Sequence, residues 1–229
     1  MLDEYEMAGA FSAALQAARR YDEPFPLTVF NPFPEDLYAE ILVQRPDDEF
    51  YEPLNHPDAL RPDGSSTRLV MSLEDHATRR LPAEQREFWS ALNAVLRSRT
   101  VCEVFLRHLE PELTARFQTP LNDIPCHPTV RLGRDFDGYM ISPHPDAKGR
   151  VFTGQVYLAE DRSLEAFGTS IYERLDDGTF NRVRQLPFAP NTGFCFVPTD
   201  RTFHGVERVT LSKPRQNLHM SCFLKSKGF

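Results

Sequence analysis

The sequence predicts an α+β chain in which helices lead and a β-barrel or sandwich follows. Three observations carry this. Apolar residues recur at helical spacing through the first 120 residues, short runs between turn signals fill the remainder, and two of those runs alternate polar and apolar side chains. With 229 residues, 41% of them hydrophobic and 18 of them Phe, the chain can bury a sizeable core and reads as one domain over 1–229. Residues 1–120 are expected to be mainly helical support and loop, and residues 121–229 a jelly-roll core.

Ala8, Phe11, Leu15 and Ala18 share one face of a helix expected over 4–20. Residues 24–30 follow as an extended segment. Asn31-Pro32-Phe33-Pro34-Glu35-Asp36 starts the next helix, with acids in the first turn where the macrodipole favours them. Leu37 and Ile41, with Tyr38 and Leu42, form its buried stripe. Residues 45–81 are polar and rich in Pro, Asp and Asn, and read as a long loop of the kind that serves as a lid. Leu81-Pro82-Ala83-Glu84 opens a helix carrying Phe88, Leu92, Val95 and Leu96. Thr100 to Glu103 has the form of a capping box for another helix, which Pro111 is expected to bend or end.

Strands are expected at 129–132, 138–142, 151–158, 168–173, 182–188, 193–197, 203–209 and 217–224, with turns at Asp176-Asp177-Gly178 and Asn191-Thr192-Gly193. Short strands at such regular spacing suit a sandwich or barrel, the jelly roll among them. Alternation sharpens the expectation. Thr153, Gln155 and Tyr157 share one face, Phe152, Val156 and Leu158 the other. Arg215, Asn217, His219 and Ser221 share one parity, Leu218, Met220, Cys222 and Leu224 the other. If the amphipathic helices cover the apolar faces, the polar faces line a cavity inside the barrel.

A formal net charge of −7 and a pI of about 5.5 argue against broad binding to nucleic acid or anionic membranes. No apolar run reaches the roughly 18 residues that span a bilayer, and the acidic start, Asp3-Glu4-Tyr5-Glu6, is unlike a signal peptide. Cys102, Cys126, Cys195 and Cys222 are far apart in sequence, with no Cys-x-x-Cys. They read as reduced, mostly buried thiols of a cytoplasmic protein, neither a disulfide framework nor a zinc knuckle.

The chemistry-bearing stretch is Ser142-Pro143-His144-Pro145-Asp146. His204 follows in Thr202-Phe203-His204-Gly205-Val206, and Arg215 lies eleven residues beyond it. Two imidazoles and a carboxylate can occupy one face of an octahedral metal and leave the other open, the ligand set of non-haem Fe(II) oxygenases. At these residues the sequence resembles the Fe(II)- and 2-oxoglutarate-dependent dioxygenases, in particular their prolyl-hydroxylase-like branch, over roughly residues 131–224. The lead-in at 24–42 resembles that branch as well.

The resemblance implies a double-stranded β-helix with supporting N-terminal helices, and Fe(II) held by His144, Asp146 and His204. It implies that Arg215 pairs with the distal carboxylate of 2-oxoglutarate, a match a guanidinium makes well. Tyr157 stands where some relatives carry a tyrosine bonded to the same carboxylate; otherwise it is a barrel-lining aromatic with a satisfied hydroxyl. Many members have Arg-x-Ser, whereas Gln216 and Asn217 follow Arg215 here, which leaves Asn217 as the candidate for a second contact. Phe167-Gly168-Thr169-Ser170 replaces the frequent Gly-Gly-Glu-like segment. With O2 as the second co-substrate, the implied reaction hydroxylates a C–H bond and releases succinate and CO2. A carboxylate at Asp146 argues against halogenation.

Arg131, Gln155 and His219 are candidate substrate contacts. Arg131, Arg134, Lys148 and Arg150 either draw in an anion or form a solvated rim. The expected partner is a small molecule of amino-acid, sugar-type or secondary-metabolite character. The residues leave three other readings open: a hydroxylase of protein side chains, a cupin-like Zn, Mn or Ni enzyme without 2-oxoglutarate, and a non-catalytic binding module.

Overall fold

The structure is a computed structural model that describes residues 2–225. Helix α1 (Glu4–Gln16) starts where the Asp3 carboxylate accepts the Tyr5 and Glu6 N–H groups, and it buries Met7, Ala8, Phe11 and Leu15. It stops short of residue 20. Arg19–Tyr21 instead forms a strand, β1, paired antiparallel with β2 (Leu27–Phe30), so ladder bonding overrides the helical stripe. Helix α2 (Glu35–Val43) follows with its acids in the first turn, as expected.

The segment 45–81 corrects the expectation of a featureless loop. It contains β3 (Glu52–Pro53), β4 (Arg68–Ser72) and α3 (Asp75–Thr78). The strand β4 is defined by a partner remote in sequence, with Arg68 opposite Asp135 and Met71 opposite Leu132. Helix α4 (Ala83–Leu96) buries Trp89, Leu92, Val95 and Leu96. Helix α5 (Arg99–His108) is capped by Ser98, which accepts the Val101 N–H, and not by Thr100. Pro111 falls in the first turn of α6 (Glu110–Phe117), where no N–H is needed, so it begins a helix and does not bend one.

The remaining strands are β5 (Cys126–Asp135), β6 (Ile141–His144), β7 (Arg150–Tyr157), β8 (Ser170–Arg174), β9 (Phe180–Gln185), β10 (Gly193–Phe196), β11 (Phe203–Val206) and β12 (Arg215–Leu224). Each of the eight expected strands is present with shifted ends. At β6 the start moves from 138 to 141, because residues 136–139 form a turn with Gly138 at φ +83°. Two antiparallel sheets result, one ordered β1-β2-β10-β7-β12-β5-β4-β3 and the other β6-β11-β8-β9.

The predicted division of faces is present. Val156, Leu158, Leu218, Met220 and Cys222 pack with Phe11, Trp89 and Phe105 of the helices in one core cluster. Phe105 stacks on Phe152 with ring centroids 5.3 Å apart. A second cluster, between the sheets, joins Tyr157, Phe194 and Phe196 to Ile171 and Phe188. The polar parity of β7 and β12 is thereby left facing the barrel interior. No described helix is long and apolar enough to cross a membrane.

Candidate metal centre and its cavity

His144 ends β6 and His204 lies directly opposite it on β11. Strand β6 is an edge strand, which tolerates Pro143 because its missing N–H faces away from the ladder. Asp58, from the segment read as loop, accepts the Ser142 N–H at 2.7 Å and ties that segment to β6. Asp146 follows in the turn before β7. Ligand atoms of His144, Asp146 and His204 all lie within 4.8 Å of one another, with His204 Nε2 3.8 Å from Asp146 Oδ2.

The donor set fits a divalent metal. His144 Nδ1 is 2.8 Å from the Ser142 carbonyl, and His204 Nδ1 is 3.3 Å from that of Thr202. A carbonyl only accepts, so each ring carries its proton on Nδ1 and keeps the Nε2 lone pair for a metal. Burial lowers the His204 pKa to about 4, so the ring is neutral at pH 7. Burial pushes the Asp146 carboxyl up, but His204 and Arg150, with a hydrogen bond from Thr153, outweigh it and hold the group below its usual value. Asp146 is therefore ionised. Its Oδ2 accepts the Thr153 hydroxyl at 2.5 Å, and its Oδ1 pairs with Arg150.

These three residues open onto a cavity of about 160 Å³, also lined by Arg131, Gln155, Arg215 and His219. Arg215 is almost fully buried, with Nη1 3.1 Å from Asp135 Oδ2 and its guanidinium 4.8 Å from the Phe188 ring centroid. Its Nε has no hydrogen-bond partner among the described residues. A buried donor without a partner is costly, and a carboxylate ligand would satisfy it. His219 is neutral, since burial and then Arg68 push its pKa well below 6.5. Its Nε2 accepts from Arg68 Nη2 at 2.8 Å.

Two expected site residues lie apart from this wall. Tyr157 belongs to the core between the sheets, and its hydroxyl donates to Thr169 Oγ1 at 2.9 Å while accepting the Thr169 N–H. Asn217 is buried behind the cavity, donating to Asp135 Oδ2 at 3.1 Å and accepting from Gln155 at 2.8 Å. Both are held by protein partners, so each supports the cavity wall from behind.

Sequence reasoning missed Arg68, Asp135 and Tyr139, which also line the cavity. Arg68 Nε lies 3.2 Å from Asp135 Oδ1, and its Nη1 donates to the Tyr139 hydroxyl. No clean alternation marks Arg68, because Val70 shares its parity and is apolar. A second, more apolar cavity of about 730 Å³ lies near Phe25, Ala115, Pro145 and Val197, and shares only Asp146 with the first.

No protein-family model matches the chain, and no curated protein does. Solved structures do. The chain is similar to a prolyl-4-hydroxylase from Pseudomonas putida, with 12% identity, 96% of this chain and 99% of that chain covered, and a TM-score of 0.55. It is similar to the Arabidopsis thaliana dioxygenase for auxin oxidation in its binary complex with 2-oxoglutarate, with 13% identity, 100% and 91% covered, and a TM-score of 0.55. A 2OG-Fe(II) oxygenase family oxidoreductase from Burkholderia pseudomallei gives 14% identity, 94% and 89% covered, and a TM-score of 0.52. With its two antiparallel sheets, and helices on the outer face of the larger one, the chain has the double-stranded β-helix fold of the 2OG-Fe(II) oxygenases.

Proposed function

We propose that this chain is an Fe(II)- and 2-oxoglutarate-dependent dioxygenase that hydroxylates a C–H bond of a small, anionic metabolite. The observation that carries the reading is the convergence of His144, Asp146 and His204 on a cavity whose wall includes the under-bonded Arg215. Iron(II) held by the triad would supply the oxidising chemistry, coupling decarboxylation of 2-oxoglutarate to O2-driven attack on the substrate and releasing succinate and CO2.

The protein's own contribution is orientation and charge. The Ser142 and Thr202 carbonyls fix both imidazoles, while Thr153 and Arg150 hold the Asp146 carboxylate. Arg215, anchored by Asp135 through one nitrogen, offers its remaining donors to the distal carboxylate of 2-oxoglutarate. Phe194 on the cavity wall, and Phe196 edge-on to His204 at 5.1 Å, keep water from the rings.

Charge and size support the substrate class. Four guanidinium groups (Arg68, Arg131, Arg150 and Arg215) line the cavity against two carboxylates, Asp135 and Asp146. Bound iron(II) and dianionic 2-oxoglutarate cancel one another, so the positive excess is left for the substrate. Arg131, which has no ion pair among those described, is its natural contact. A volume of about 160 Å³ is below the roughly 300–1,000 Å³ of ordinary ligand pockets. It suits one small organic acid within and a small substrate at the mouth, such as an acidic amino-acid, sugar-type or secondary-metabolite scaffold. The four free thiols suit a reducing, cytoplasmic setting.

The test is succinate release from 2-oxoglutarate by the iron-loaded protein, lost in His144→Ala and His204→Ala. Metal-dependent turnover that ignores 2-oxoglutarate would overturn the reading in favour of a cupin-like enzyme. For the substrate, acidic metabolites should stimulate O2 uptake and neutral ones should not. Robust turnover of proline-rich peptides instead would reassign the chain as a protein hydroxylase.

A further inference from the structure

Three of the four cysteines, remote in sequence, meet on the opposite side of the major sheet from the triad. Cys102 comes from α5, Cys126 from the start of β5 and Cys222 from near the end of β12. Their sulfur atoms all lie within 4.8 Å of one another, and Cys102 and Cys222 are 3.8 Å apart. Thiolates sharing one zinc at about 2.3 Å stand roughly 3.7–3.9 Å from each other, so the observed pair already has the spacing of two ligands of one ion.

The backbone prepares this. Cys126 is opposite Leu224, and Cys222 is opposite Pro128, so the two cysteines are diagonal neighbours on one sheet face. Such diagonal positions are about 7–8 Å apart, too far for the roughly 4.4–6.8 Å Cα span of a disulfide. The pairing of β12 with β7 shifts register between Cys222 and Phe223, an irregularity of the kind that re-aims side chains.

Cys102 and Cys222 are buried, whereas Cys126 is half-buried and lines a surface groove of about 430 Å³. Arg97, Arg99, His127 and Lys225 surround that groove, a positive setting that favours thiolate over thiol. Of the carboxylates, only Glu103 lines it, and Arg99 and Arg107 already occupy that group.

We propose that Cys102, Cys126 and Cys222 form a second metal site, a three-thiolate site for a thiophilic ion of the zinc or copper(I) kind. With no fourth protein donor grouped with them among the described residues, the ion is either trigonal, as copper(I) accepts, or takes its fourth ligand from solvent through the groove, as zinc accepts. The site clips α5 to the first and last strands of the barrel core, so its binding energy appears as folding stability. This inference is independent of the proposed oxygenase activity.

The test is titration of the reduced, chelator-treated full chain with Co(II), read by thiolate-to-cobalt charge-transfer absorption, which a site of two His and one Asp does not produce. The band should saturate at one equivalent in the wild type, in His204→Ala and in Cys195→Ala, and be absent in Cys126→Ser. In the His204→Ala background, where the other donor set is broken, Zn(II) should displace the cobalt and raise the melting temperature only where all three cysteines are present. Copper(I) supplied from a chromophoric chelator distinguishes the two ions. Should Cys126→Ser fail to fold, Cys102→Ala with an unchanged far-ultraviolet spectrum replaces it. No charge-transfer band in the wild type, an equal band in Cys126→Ser or Cys102→Ala, or a Cys102–Cys222 disulfide in place of metal uptake would each overturn the proposal.

Discussion

Asp135 lies opposite Arg215 across the β5–β12 ladder and opposite Arg68 across the β4–β5 ladder, so one carboxylate holds two guanidinium groups of the cavity wall. Asp135 and Arg215 are each only 1% exposed. Taking one partner from a buried ion pair leaves an uncompensated charge and costs about 3–5 kcal/mol. Asp135→Asn should lower stability in urea unfolding by about that much. Added 2-oxoglutarate should recover part of the loss, because an anionic ligand meets the same guanidinium groups.

Arg215→Lys tests the geometry of that wall separately from its charge. A charge-assisted hydrogen bond is worth about 1.5–3 kcal/mol, and lysine cannot reproduce a fork anchored at one end and open at the other. The KM for 2-oxoglutarate should rise roughly 10–100-fold, with little change in iron affinity. Steady-state succinate release against 2-oxoglutarate concentration measures the first, and anaerobic metal titration the second.

Thr153→Val removes the hydroxyl that donates to Asp146 Oδ2 without a large change of volume. Loss of such a supporting hydrogen bond behind a metal ligand typically weakens metal affinity about 10–100-fold. Anaerobic calorimetry with Fe(II) should show that weakening. An unchanged dissociation constant would mean that Arg150 alone orients the carboxylate.

The sequence disclosed the triad because His-x-Asp is local and because period-two alternation marks which side of each strand is polar. The same alternation assigned Thr153, Gln155, Arg215 and His219 to the cavity side and Val156, Leu218 and Met220 to the helices. It put Tyr157 on the inner face, where the ring lies between the sheets, but parity does not say whether a neighbour such as Thr169 captures the hydroxyl. Arg68 was hidden for a different reason. Its local partner is the two-residue β3, its main partner is β5, about sixty residues away, and nothing in 45–81 advertises that partner. The meeting of Cys102, Cys126 and Cys222 was equally illegible, because it depends on how α5 seats on the sheet.

The stability of the metal-free protein should fall as pH drops below neutral, and His219 should account for part of the slope. Burial, reinforced by Arg68, Arg131 and Arg150, keeps the folded ring's pKa well below 6.5, whereas the unfolded ring titrates near 6.5. Below that value the unfolded chain binds the extra proton, so the stabilisation is complete above pH 6.5 and declines as pH falls toward the folded value. His204, lowered to about 4, acts in the same direction. His219→Gln, whose amide oxygen can still accept from Arg68, should flatten the urea midpoint between pH 7 and about pH 5. An unaltered slope would mean that the imidazole does not titrate on unfolding.

Gly205 links packing to the metal centre most directly. A Cβ there would lie 2.6 Å from the Ile141 carbonyl oxygen and 3.2 Å from Ser142 backbone atoms, so the obstruction is the neighbouring strand itself and not a movable side chain. Gly205→Ala must push β11 away from β6, the two strands that hold His204 opposite His144. Overpacking of this kind costs about 1–3 kcal/mol, and here the displacement falls between the two histidines proposed to hold the metal. The variant should bind Fe(II) at least about tenfold more weakly while keeping the wild-type far-ultraviolet spectrum. Gly9→Ala is the contrasting case, since a Cβ within α1 meets nothing within 4 Å. It should leave metal affinity unchanged and add roughly 0.5–1 kcal/mol of stability. Equal iron affinity in both variants would show that the β6–β11 spacing does not set the distance between the histidines.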